Sequence, residues 1–183
     1  MGMRVHRRWA STLATAATTT LAASTLASCS PPQRELIGIR PTADSGAIAS
    51  LRPCGKDRVA SVDVLGSVIR DNPDDPVEDL TSWQVRSPQS VQGPEEIQLF
   101  HTPDGWTGDP APLGDQRLKA THRYSVIFIV ASGGGGVSYR GVVHFTAADL
   151  ARLEPGQVWA GGRAMTVEEF QKHTDQKCDN GWF

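Results

Sequence analysis

Residues 124–131, YSVIFIVA, constrain this chain more than any other stretch. The run is uncharged, free of glycine and rich in β-branched and aromatic side chains, which suits a strand. Val126, Phe128 and Val130 fall on one parity and Ile127 and Ile129 on the other, so both faces are apolar. That pattern marks a central strand covered on both sides, by a second sheet or by the C-terminal helices. Residues 137–145 return after a glycine-rich connection at 132–136, making a long antiparallel hairpin. One hairpin cannot stand alone in water and needs further strands or a covering layer.

The rest of the chain supplies them. Residues 35–39, 57–68, 83–85 and 96–100 read as strands, with Ala60, Val62 and Val64 giving the second an apolar face. Residues 103–114 are dense in proline and glycine and read as loop, with Trp106 folded back to cover the edge of the core. Thr146 and Asp149 have capping-box spacing, starting a short helix that stops near Glu154, before Pro155-Gly156. Gly161-Gly162 joins residues 157–160 to 163–165 in a two-residue hairpin. Thr166-Val167-Glu168-Glu169 is a full capping box opening a last helix, expected to end around His173.

Short strands between Pro/Gly turns, with little helix until the end, predict a mainly β chain: a β-sandwich with short C-terminal helices, the alternative being α+β. Residues 118–124, Leu118-Lys119-Ala120-Thr121-His122-Arg123-Tyr124, resemble the turn before a late strand of fibronectin type III and immunoglobulin-like domains. The resemblance implies an immunoglobulin-like sandwich in which Tyr124 forms a tyrosine corner, its phenol bonding back to the preceding backbone.

The N-terminus carries a different message. Arg4, Arg7 and Arg8 precede an uncharged run of Ala, Thr and Leu, followed by Leu26-Ala27-Ser28-Cys29. A basic start, a short apolar run and small residues describe an export signal, and the run is too short to span a membrane. The closing tetrad resembles the lipobox of bacterial lipoproteins. That resemblance implies cleavage before Cys29, diacylglycerol on its thiol and a further acyl chain on the new amino terminus. Each buried methylene contributes about 0.8 kcal/mol, so several chains anchor stably where one does not. The expected organisation is a signal at 1–28, a lipidated tether at 29–34 and one extracytoplasmic domain at 35–183, held at the cell membrane. Two cysteines remain beyond the signal, Cys54 and Cys178, an even number outside the cytosol, and they are expected to pair. Setting Arg4, Arg7 and Arg8 aside turns the formal charge of −2 into −5, which argues against nucleic acid as a partner.

Catalytic and metal patterns are sparse. His101, His122, His144 and His173 are dispersed, and none stands three or four residues from another. Asp71, Asp74, Asp75, Glu78 and Asp79 read as a solvated acidic loop, because Pro73 and Pro76 interrupt any EF-hand spacing. The glycine run at 133–136 lacks a following Lys-Ser/Thr, and there is neither a Gly-x-Ser-x-Gly elbow nor His-Glu-x-x-His. No catalytic, cofactor or metal residue is therefore expected. The expectation is a non-enzymatic, lipid-anchored binding or scaffolding module. Its partners would be the membrane, through the anchor, and an envelope protein or cell-wall ligand. The alternative is an envelope enzyme or accessory subunit, whose polar pocket would join His101, His122 or His144 to a carboxylate.

Overall fold

A computed structural model describes residues 31–72, 74, 76–131 and 137–179. The segment expected to be an export signal, the Leu26–Cys29 tetrad, the glycine-rich connection and the last four residues lie outside the described residues. The chain runs through β1 (Gln33–Arg34), β2 (Ile37–Pro41), β3 (Ala47–Leu51), β4 (Arg58–Val68) and β5 (Thr81–Gln92). It continues through β6 (Glu95–Gln98), β7 (Thr107–Gly108), β8 (His122–Ala131) and β9 (Val137–Thr146). Helix α1 (Ala147–Ala151), the hairpin β10 (Gln157–Ala160) and β11 (Arg163–Thr166), and helix α2 (Val167–Asp179) complete it.

These strands form two sheets, ordered β1-β9-β8-β4-β5-β7 and β11-β10-β2-β3-β6. Taking β2, β3 and β6 as strands A, B and E, and β5, β4, β8 and β9 as C′, C, F and G, the neighbours are those of an immunoglobulin-like sandwich. The β10–β11 hairpin lengthens the second sheet beyond β2. The tyrosine corner is formed: the Tyr124 hydroxyl donates to the Arg117 carbonyl at 3.2 Å and accepts from the Lys119 amide at 2.8 Å.

Strand β8 is central, hydrogen-bonded to β4 on one side and β9 on the other. Its inward residues Tyr124, Val126, Phe128 and Val130 pack with Val62, Val64, Val143 and Phe145. Across the interface lie Ile37, Ile39, Ala49, Leu51 and Ile97 of the second sheet, in the same core. Both large rings of β8 rest on glycines of neighbouring strands. Gly66 opposes Tyr124, and a Cβ there would come within 2.6 Å of its ring. Gly141 opposes Phe128, and a Cβ there would overlap the ring outright. A bulge between Val59 and Ser61 breaks the parity of β4 and returns Val59 to the core.

Several boundaries differ from the sequence reading, each for a physical reason. Gln33–Arg34, assigned to the tether, pairs in parallel with β9. Strand β5 is far longer than 83–85; it carries Pro88 opposite the bulge, where the ladder is already irregular and a missing N–H is tolerated. The strand at 96–100 ends at Gln98, because Phe100 takes a left-handed φ of 64°. That turn sends its ring edge-on to Trp83 and Tyr124. Helix α2 does not stop at His173 but continues to Asp179. No glycine or proline interrupts it, and its far end is held by the Cys54–Cys178 disulfide and by Lys177 Nζ on Glu35 at 2.7 Å. Phe170 of α2 packs over Gly38 and Val158, so this helix covers the outer side of the second sheet. Trp106 is half-buried against the core edge, as its loop position suggested.

A candidate binding face

Among the described residues no helix lies over the outer side of the six-stranded sheet, although Ser61 and Val142 on it are buried. Ile127 and Ile129, expected to be packed under helices or a sheet, are only half-buried, which corrects the reading of β8 as covered on both faces. Both C-terminal helices contact the other sheet or the β9 edge instead. Register places the outward side chains in rows. Arg140, Ile129, Ser61 and Arg86 form one; Val142, Ile127, Asp63 and Gln84 the next; His144, Ser125, Leu65 and Ser82 a third. Leu113 bridges onto Ser82 and extends the third row. Leu65 is 50% exposed and Leu113 55%, large values for apolar side chains on one surface.

Asp63, Leu65, Gln84, Asp109, Ile127 and Arg140 surround a shallow depression of about 360 Å³ here. Arg86 donates from Nε and Nη2 to Gln84 Oε1 at 3.1 and 3.0 Å, and Gln84 Nε2 donates to Asp63 Oδ1. Burial raises the Asp63 carboxyl above its ordinary range, outweighing that bond and the charges of Arg86 and Arg140. Arg140 Nε is buried and has no hydrogen-bond partner among the described residues. A half-buried acid, an unmatched guanidinium donor and half-buried isoleucines on one rigid sheet form a surface able to hold a ligand by both apolar and polar contact.

The four histidines among the described residues are not gathered into a site. His101 is exposed. His122 is fully buried and stacked on Tyr124, with Nε2 2.8 Å from the Asp79 carbonyl and Nδ1 3.1 Å from Thr121 Oγ1. The Asp79 carboxylate lies 3.4 Å from it, a contact at the end of β8 and away from the depression. His173 Nε2 is 3.2 Å from Glu35 on the other side of the molecule. His144 is exposed on the open face, its Nδ1 2.7 Å from Ser125 Oγ. No carboxylate among the described residues bonds to His144, so the orienting group that a Ser–His pair needs is not supplied. Among the described residues no group of three His, Cys, Asp or Glu side chains could hold a metal ion. Asp79 of the acidic loop instead takes Lys119 Nζ at 2.8 Å on both oxygens, which lowers its pKa.

Cys54 and Cys178 are bonded, with Cα atoms 5.4 Å apart. Around the bond, the Cys54 amide donates to the Tyr139 hydroxyl at 2.7 Å, and the Arg34 guanidinium lies 5.0 Å over the Tyr139 ring. Burial pushes the Tyr139 phenol well above its usual range. The open face is not legible in β8 alone. Its signal lies in the neighbouring strands, where Asp63 and Arg140 occupy the parity that pairs with Ile127 and Ile129. The chain matches no family model, no curated protein and no solved structure.

Proposed function

We propose that the chain is a lipid-anchored cell-envelope protein whose β-sandwich is a binding or scaffolding module, with the outer face of the six-stranded sheet as its working surface. The observation that carries this reading is the patch of Ile127, Ile129 and Leu65 beside Asp63 and Arg140. Apolar side chains left on a rigid face, and rimmed by groups of both charges, favour recognition of a partner. The lipobox resemblance at Cys29 supports membrane attachment, and the bonded cysteines agree with an oxidising compartment. The enzyme alternative draws on one specific observation, the Ser125–His144 contact.

The test is affinity capture from native envelopes with the full chain and with Leu65→Lys, a change at a half-exposed position. A partner captured by the wild type and lost with Leu65→Lys supports the binding face. Identical captures from both would overturn it.

A further inference from the structure

Building on the binding-face reading, we propose that the depression between Arg140 and Asp63 takes an uncharged, extended peptide segment bearing apolar side chains. Charge balance selects against ions. Two acids, Asp63 and Asp109, line or edge the depression with Arg140, and Arg86 is bonded into its floor through Gln84. A carboxylate ligand would satisfy Arg140 but face both aspartates; a cation would satisfy the aspartates and leave the Arg140 donor unmatched.

A peptide group carries what both flanks lack. One carbonyl of the segment accepts from the half-buried Arg140 guanidinium, which lines the depression and whose Nε has no partner among the described residues. An N–H farther along the segment donates to Asp63 Oδ2, since Gln84 occupies Oδ1. Burial, which raises the Asp63 carboxyl, is the environment in which such a neutral donor is strongly held. Arg140 lies on β9 and Asp63 on β4, with β8 between them and one row of offset, so their Cα atoms are about 12 Å apart. One amide does not span that gap. An extended segment rising about 3.3 Å per residue does so in roughly three to four residues, laying side chains on Ile127, Ile129 and Leu65.

The experiment follows the methyl resonances of Ile127 and Ile129 in the isoleucine-labelled full chain while acetyl-leucyl-alanyl-leucine amide is added. Saturable shifts at these two methyls are expected. Affinity should fall about tenfold in Arg140→Met, which keeps the aliphatic stem but removes the charged donor. Lys172→Met, on the exposed side of α2, should leave it unchanged. Leu65→Lys serves as a second face variant if Arg140→Met folds poorly. If the free-carboxylate form of the peptide saturates these methyls and the amide does not, the site is an anion site and the proposal is overturned. Shifts that depend on protein concentration without peptide would make the occupant a second copy, and would overturn the proposal equally. Either result leaves the binding face standing. Silence of both methyls to peptide, carboxylate and protein concentration would sink the face together with the proposal.

Discussion

Phe128 sits fully buried on the central strand, its ring laid over Gly141 of β9 and edge-on to Tyr139. Removing it leaves a cavity, so Phe128→Ala should cost about 3–5 kcal/mol in a urea melt. Adding a methyl beneath it has the converse fault: Gly141→Ala should destabilise by about 1–3 kcal/mol, because the ring has no free volume to move into. A melt of either variant coinciding with wild type would show that the ring is not packed in this way. Asp63 makes a pH-dependent prediction. Its folded pKa lies above its unfolded value, so the folded state binds the proton more tightly, and this group's contribution to stability falls as pH rises through that pKa. At neutral pH the ionised form is a burden, and Asp63→Asn should raise the melting temperature. Below the folded pKa of Asp63 the advantage should shrink. Under the proposed binding role, Asp63→Asn should also weaken ligand binding.

At the scale of elements, α2 is an appendage secured at its far end. Phe170 anchors it on the second sheet, while the disulfide ties Cys178 to Cys54 across a separation of 124 residues. The chain-entropy model values a loop of that length at about 4–5 kcal/mol. Cys54→Ser with Cys178→Ser should therefore lower stability by that order. Hydrogen exchange should speed up first in the last turns of α2, where the bond is made. Uniform protection across α2 in the double variant would show that the bond is dispensable to it. The Glu35 carboxylate adds a weaker tie to the same end, its pKa lowered chiefly by the hydrogen bond from Lys177. Its stabilising effect is present above the unfolded pKa and lost as pH falls through the folded one. Glu35→Gln should accordingly flatten the acid limb of the stability profile, by the small amount usual for exposed pairs.

The described residues form a two-sheet sandwich with one outer side covered by a helix and no helix over the other. Under the lipoprotein reading, β1 begins four residues after Cys29, a reach of at most about 14 Å, so the domain would stand close to the bilayer. Cys29→Ser should then abolish labelling by a fatty-acid analogue and move the protein from membrane to soluble fractions. Equal membrane retention of this variant would refute the anchor. That measurement is independent of the binding face, and each claim can fail alone.

The sequence by itself determined what local spacing controls. The apolar run at 124–131 declared the central strand, Thr146 and Thr166 declared both helix starts, and Gly161-Gly162 declared the hairpin turn, where both residues take positive φ. The Leu118–Tyr124 spacing announced the tyrosine corner. Tertiary structure decided whatever depends on which strand lies beside which. Whether Ile127 is covered is set by Asp63 and Val142 alongside it and by the helices' choice of the other sheet. The space for Phe128 is set by a glycine on the next strand, and the reach of α2 by a cysteine far back in the chain. Periodicity reports a residue's own face. Cover, close approach and cross-linking belong to the partner, and they exist only once the register is formed.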